Sequence, residues 1–248
     1  MNLQLCNVSF SYNHKKVFSD LSVDFSDGKL IAVGGNNGSG KSTLLKLVAG
    51  ILEPACGQIF IDDREYKQLG RRDLAQKISY VPQFIETAFD LQVIDFLTMT
   101  AERRQPFSKK ELFEKAYTAL ERVGIEDFAQ RNINELSGGE RQKVLIANAL
   151  SQNAPLMLLD EPVSHLDWSS QIEIFKLLRE IVTNENCKII VIAHDINLIA
   201  MYCSHVLLMK NGEVVTYGKT SEILEPQVIQ SVFDLKVRNV DNYFMPIA

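Results

Sequence analysis

No apolar run in this 248-residue chain approaches the ~20 residues that a membrane-crossing helix requires. The longest runs, such as Ile189-Ile190-Val191-Ile192-Ala193, are far shorter. The N-terminal MNLQLCNVSF has no basic region followed by an apolar stretch, so no secretory signal is expected. A basic excess is lacking as well. Lysine and arginine number 26 against 31 aspartates and glutamates, a net charge of −5, which argues against nucleic acid as a partner. Cysteine is scarce: Cys6, Cys56, Cys187 and Cys203 form no CxxC pair, so neither a zinc site nor a disulfide frame is indicated. They are expected as buried free thiols in a reducing cytosol. Repeats, low-complexity tracts and flexible linkers are absent too. The length suits one large domain with room for an inserted subdomain. The expected location is cytosolic, and any membrane role would need a partner.

What is present centres on residues 34–43, GGNNGSGKST, where Gly35-x4-Gly40-Lys41-Ser42 forms a P-loop pattern. Leu30-Ile31-Ala32-Val33 before it, bounded by Asp27-Gly28, reads as a buried strand. Thr43 to Ala49 after it is apolar at helical spacing and closes at Gly50. Glycines at these positions let successive N–H groups face phosphate oxygens, and a helix N-terminus adds favourable partial charge. In this pattern Lys41 reaches the β- and γ-phosphates, and the Ser42 hydroxyl ligates Mg²⁺. The chain is therefore expected to bind a nucleoside triphosphate.

Residues 3–12 and 17–25 alternate apolar and polar, and read as a hairpin turned at Asn13-His14-Lys15-Lys16. Further strands are expected at 57–62, at 78–83 with Pro82 as the stop, and at 156–160, 188–193 and 206–209. Lys210-Asn211-Gly212-Glu213 reads as a hairpin turn into Val214-Val215-Thr216-Tyr217. From about 90 to 150 no strand-like run occurs. There the segment 109–123 sets Leu112, Phe113, Ala116, Leu120 and Val123 on one helical face and ends at Gly124. The pattern is a mainly parallel α/β core interrupted by an all-helical insert. In that insert, Arg103-Arg104 and Lys109-Lys110 read as a solvated loop and helix start, with docking to a membrane subunit or lipid headgroups as the alternative.

Leu156-Met157-Leu158-Leu159-Asp160-Glu161 is an apolar strand ending in two carboxylates. Beside a phosphate loop, Asp160 suits holding Mg²⁺ through its water shell, and Glu161 suits polarising an attacking water. Leu136-Ser137-Gly138-Gly139-Glu140 precedes a helical pattern from Arg141 to Leu150, with Ser137 as a natural N-cap. By itself this is a capped helix or a second anion site.

LSGGERQKV upstream of LMLLDE, in a chain with a P-loop, resembles the ATP-binding-cassette (ABC) ATPases, whose signature is LSGGQ. The resemblance covers nearly the whole chain, in the family's order. It implies an α/β fold: a P-loop NTPase (RecA-like) core with an antiparallel β-subdomain and an inserted all-helical subdomain. It implies a single domain over 1–248, with 1–88 and 151–248 as core and 89–150 as the helical subdomain bearing the signature. Tyr12 matches the aromatic residue that stacks on adenine. ATP would be held by Tyr12 and by Asn36, Asn37, Gly38, Ser39, Gly40, Lys41, Ser42 and Thr43. Gln83 in YVPQ matches the Q-loop glutamine that links Mg²⁺ and water to the membrane-subunit contact. Ser164-His165-Leu166-Asp167 matches the D-loop, with Ser164 and Asp167 as its functional residues. His194 in IVIAHD matches the switch histidine that contacts the γ-phosphate. The implied catalytic group is Glu161, His194, Gln83 and Lys41. The implied Mg²⁺ set is Ser42, Gln83 and Asp160, the last through water.

The resemblance further implies two copies paired head to tail. ATP on the P-loop of one would be covered by Ser137, Gly138, Gly139 and Glu140 of the other. Asn36 departs from a frequent proline, and Asn148 from a frequent arginine, which puts a local salt bridge in doubt. Trp168, the only tryptophan, is expected to pack. One cassette, a compact insert and no preceding membrane helices are similar to importer ATPases. The stretch AHDINLIAMYCSHVLLMKNGEVVTYGKTSEILEPQVIQSVFDLKV is similar to those serving iron-siderophore, haem and cobalamin uptake. Partners so implied are integral membrane permease subunits, docked near Phe89 to Phe96, and indirectly a substrate-binding protein, on the inner face of the cell membrane. The alternatives are a zinc or manganese importer ATPase and a soluble non-transport ABC ATPase.

Overall fold

The computed structural model describes residues 1–13, 15–83, 90–102, 108–241 and 243–247. Its strands are β1 (Leu3–Tyr12), β2 (Lys15–Asp24), β3 (Leu30–Gly35), β4 (Cys56–Ile61), β5 (Arg64–Glu65), β6 (Ile78–Val81), β7 (Leu156–Leu159), β8 (Lys188–Ile192), β9 (His205–Lys210), β10 (Glu213–Lys219), β11 (Val237–Val240) and β12 (Tyr243–Pro246). The helices are α1 (Lys41–Val48), α2 (Arg71–Lys77), α3 (Val93–Glu102), α4 (Lys109–Arg122), α5 (Gly138–Ser151), α6 (Trp168–Asn184), α7 (Ile196–Tyr202), α8 (Thr220–Ile223) and α9 (Pro226–Phe233). A six-stranded sheet runs β10-β9-β3-β8-β7-β6, parallel except for the β9–β10 hairpin. A four-stranded antiparallel sheet runs β2-β1-β4-β5, and β11 pairs with β12 alone.

Every residue of β3, β7 and β8 is buried, which explains why these strands read as unbroken apolar runs. Successive side chains leave opposite faces of a strand, so each run feeds two cores. Ile31, Val33, Leu156, Leu158, Ile190 and Ile192 pack with α1 and the antiparallel sheet. Leu30, Ala32, Met157, Leu159, Ile189 and Val191 pack with α5, α6, α7, α9 and the helical segment. A single polar substitution at any of these positions would strand a polar group in a region without water. The β9–β10 turn has positive φ at both Asn211 and Gly212, the pairing that a two-residue hairpin favours.

The α/β fold class read from the sequence is the observed one, as are the hairpin and the parallel strands. Between 90 and 150, helices α3–α5 appear, and the described residues there hold only an isolated bridge, Gln92 with Asn132. Several expectations fail for physical reasons. Trp168 does not pack; it is 65% exposed at the first position of α6, past the end of the core that receives Phe175 one face-repeat later. Phe113 is 41% exposed, because the buried stripe of α4 runs through Leu112, Ala116, Ala119 and Leu120 and leaves it on the flank. Only Cys187 and Cys203 are buried thiols. Cys6 and Cys56 are exposed, and the register of β1 shifts just after Cys6, so that Cys6 and Asn7 both face outward. Asn148, in the frequent-arginine position, accepts a hydrogen bond from Thr100 of α3, so α3 and α5 are tied without a salt bridge. His14, Phe89, Arg103 and Arg104 lie outside the described residues.

Candidate active site

Four adjacent strands, β3, β8, β7 and β6, run parallel, so their carboxyl ends share one edge of the sheet. The P-loop leaves β3, His194 follows β8, Asp160-Glu161 follows β7, and Gln83 follows β6. Ligand sites in open α/β sheets form at this edge.

Gly35 ends β3 at φ 147, and a Cβ there would sit 2.2 Å from the Met209 carbonyl oxygen. Gly35→Ala should therefore cost at least about 2 kcal/mol of stability, read as the urea midpoint. A midpoint unchanged from the parent would show that the loop can relax around the methyl group. Gly40 caps α1 without a side-chain hydrogen bond, which leaves the helix's first N–H groups for an anion. Lys41 is 4% exposed, and its Nζ donates to the carbonyls of Gly35 (2.8 Å) and Asn36 (3.0 Å). Burial lowers its pKa, while Glu161 and Asp160 oppose that shift. The Asn36 side chain donates to the Val232 carbonyl at 3.1 Å, tying the P-loop to α9. A proline at this position has no such donor. Ser39 is buried beneath the loop, and its hydroxyl has no hydrogen-bond partner among the described residues.

A cleft of about 410 Å³ opens over this loop. It brings together Tyr12, Asn37, Gly38, Gly40 to Thr43, and Glu161. Tyr12 is 43% exposed and stacks edge-on against Phe10 at 4.9 Å, which steadies its ring at the cleft mouth. Lys15 and Lys16 line the same cleft. In the sequence they read as turn residues; their signal is a pair of lysines three and four positions past Tyr12.

Asp160 is 4% exposed, with both carboxylate oxygens engaged. Ser42 Oγ donates to Oδ1 at 2.7 Å, and Tyr80 Oη donates to Oδ2 at 2.9 Å. Tyr80 was not foreseen as a site residue. Glu161 holds φ 50, a left-handed conformation that costs a non-glycine residue on the order of 1 kcal/mol. Its Oε1 lies 2.9 Å from His194 Nε2, and its Oε2 accepts from Gln83 Nε2 at 2.9 Å. Gln83 Nε2 also reaches Ser164 Oγ at 3.4 Å, and the Ser164 hydroxyl donates to the Glu161 carbonyl at 3.2 Å. Gln83 is thus engaged with Glu161 and the D-loop rather than with the Ser42–Asp160 pair. Asp167 caps α6 by accepting from Ser170 N at 3.0 Å, and those bonds from Ser170 hold its pKa below the usual carboxylate range.

Ser137 and Glu140 form a capping box at the start of α5. Glu140 accepts from Ser137 N at 2.8 Å and pairs with Arg131 at 3.1 Å. The hydrogen bonds from Ser137 lower the Glu140 pKa, so the box stays ionised through the ordinary glutamate range and loosens only in stronger acid. Ser137 and Gly138 are exposed on the surface of the chain. A Cβ on Gly138 would touch Leu166, so the turn packs beside the D-loop.

Ser42 and Asp160 present two hard oxygen donors beside a phosphate loop, a fit for Mg²⁺. Among the described residues, no cluster of three His, Cys, Asp or Glu could cage an ion alone. Such a site suits a cation shared with nucleotide phosphates.

Residues 18–164 match the family model described as ABC transporter. Over 246 residues the chain is 31% identical to the petrobactin import ATP-binding protein of Bacillus subtilis, covering 97% of this chain and 96% of that one. It is 33% identical over 244 residues to the hemin import ATP-binding protein of Bordetella pertussis, covering 95% and 93%. Among solved structures, the dimeric post-hydrolysis state of the ATP-binding cassette MJ0796 bound to ADP and Pi superposes with a TM-score of 0.76. That match has 27% identity and covers 88% of this chain and 98% of that one. With the family model matched over more than half its length and these relatives aligned over nearly all of it, the chain belongs to the ABC transporter family of ATP-binding proteins.

Proposed function

We propose that this chain is the ATP-hydrolysing subunit of an importer for iron-siderophore, haem or cobalamin-type cargo, working as a head-to-tail pair beneath a membrane permease. The family's activity is hydrolysis of ATP to ADP and phosphate coupled to transport, and this chain carries it. The reading rests most on one observation. Lys41, Ser42, Asp160, Glu161, Gln83 and His194 come from four neighbouring strand ends, while Ser137-Gly138 faces outward on a separate helix. That turn lines no part of its own chain's cleft and lies open at the surface, which suits completion of the site by a second copy.

In this reading the segment 1–88 with 151–248 is the nucleotide-binding core, and 89–150 is the helical subdomain that carries the signature. ATP sits on the P-loop with its adenine against Tyr12, and Lys15 and Lys16 add positive charge at the cleft. The first N–H groups of α1 and Lys41 bind the β- and γ-phosphates. Ser42 and Asp160, the latter through water, would hold Mg²⁺ together with Gln83, and the ion would supply positive charge against the phosphate oxygens. Glu161, held at the end of β7 in a left-handed backbone conformation, accepts a proton from the attacking water. His194 is 40% exposed and turns to the γ-phosphate. Ser137, Gly138, Gly139 and Glu140 of the second copy close over the nucleotide, with Ser164 and Asp167 at the contact. Because the γ-phosphate touches both copies, its presence favours closure and its loss favours opening.

Among the described residues, no helix is long and apolar enough to cross a membrane. Coupling therefore falls to permease subunits, and we place this chain at the cytoplasmic face. A cavity of about 770 Å³ lies away from the nucleotide cleft, lined by Ile51, Tyr66, Arg71, Leu74 and Tyr80. It is larger than the nucleotide cleft and shares no lining residue with it. Its position beside β6, which leads into Gln83, suits a permease contact better than a nucleotide. Affinity purification of the tagged chain from native membranes is expected to bring down a multi-helix permease and a substrate-binding protein. Recovery with ribosomes or DNA alone would overturn the transport reading in favour of a soluble ABC ATPase.

A further inference from the structure

The geometry points to Tyr80 as a positioning residue that fixes the metal-holding carboxylate of Asp160 in its working orientation. This rests on the reading of Asp160 as the carboxylate that holds Mg²⁺. Asp160 comes from β7 and Tyr80 from β6, and the two strands pair in parallel with Val81 opposite Leu159. That register continues past the strand end, where Asp160 N donates to the Val81 carbonyl at 2.9 Å. The backbone of Asp160 is thereby locked to β6, and the Tyr80 hydroxyl locks the side chain, donating to Oδ2 at 2.9 Å.

The two carboxylate oxygens then have separate tasks. Oδ1 faces Ser42 Oγ at 2.7 Å, on the side where a cation would enter. Oδ2 faces away and is tied to the phenol. Were Ser42 to hold a cation, Oδ1 would lose its bond from the hydroxyl and be free to help hold that cation through water. Oδ2 keeps its bond, so the carboxylate plane does not swing. A neutral phenol has one O–H to donate, and here it goes to Oδ2. Hydrogen bonds from outer residues to a metal-binding group set its orientation and its basicity. Nothing in the P-loop or Asp-Glu pattern specifies a tyrosine here. The ring also lines the 770 Å³ cavity, so one side chain touches both that cavity and Asp160.

The test uses the full chain in a Glu161→Gln background, where nucleotide is bound and not turned over. The dissociation constant of a fluorescent ATP analogue is measured in EDTA and in Mg²⁺, and the ratio of the two gives the metal's share of affinity. Tyr80→Phe removes only the hydroxyl. It should leave binding in EDTA within about twofold, with one nucleotide per chain, and shrink the metal ratio about tenfold. A ratio within about twofold of the parent overturns the proposal. Asp160→Asn separates the two levels of inference. If Asp160→Asn shrinks the ratio and Tyr80→Phe does not, Tyr80 has no positioning role and the metal reading stands. If neither substitution changes the ratio, the Mg²⁺ assignment to Asp160 falls, and the role of Tyr80 falls with it.

Discussion

Glu161→Gln is expected to bind ATP as the parent does and to hydrolyse it at least about a hundredfold more slowly, a barrier increase of roughly 2.7 kcal/mol. An amide cannot accept the proton that leaves the attacking water. The replacement is nearly isosteric, so nucleotide contacts at the P-loop are untouched. One local contact does change. Both carboxylate oxygens of Glu161 are engaged, one 2.9 Å from His194 Nε2 and the other accepting from Gln83 Nε2 at 2.9 Å. Glutamine offers one oxygen and one NH2 group, so its oxygen keeps the Gln83 bond and its NH2 meets His194 Nε2, which must then be the acceptor. The variant should accumulate as an ATP-bound pair, detected by gel filtration with and without ATP, because the γ-phosphate that holds the copies together is not lost. Turnover within about tenfold of the parent would remove Glu161 from the role of base.

Lys41→Ala acts earlier, on binding itself. The ammonium is the buried cation of the P-loop, and its protons are spent on the carbonyls of Gly35 and Asn36. In the proposed complex they turn to phosphate oxygens, where charge-assisted bonds are stronger than bonds to neutral carbonyls. Losing them should weaken ATP binding by about 3 kcal/mol, roughly a hundredfold, measured by isothermal titration. The buried Gly35 carbonyl also loses its donor, so the urea midpoint is measured alongside to separate lost folding from lost binding. An unchanged dissociation constant would mean that the phosphates do not lie where the loop geometry puts them. Together the two variants separate capture from chemistry: one holds ATP without cleaving it, the other fails to hold it.

The parts legible in the sequence are those where residue type and local period carry the information. The P-loop glycines, the apolar runs of β3, β7 and β8, and the Asn211-Gly212 turn are of this kind. Helix α2 was not legible, because none of its seven residues is buried and so no apolar stripe marks it. Trp168 misled because a stripe tells which face is apolar but not where the core ends. Cys6 misled because a bulge shifts the alternation of β1 by one residue. Tyr80 and the two cleft lysines were invisible as site residues for a different reason. Each gains its role only from a neighbour far along the chain.

From the residues alone came the phosphate loop, the paired carboxylates at a strand end, the serine-glycine turn and the family they belong to. Their mutual distances did not. Ser42 meets Asp160 across 118 positions, and Gln83 meets Glu161 across 78. These approaches depend on β8 lying between β3 and β7, and on β6 pairing with β7 in one register. Local sequence does not encode strand order. It is decided by long-range packing, when the helices and the antiparallel sheet cover the two faces that β3, β7 and β8 feed.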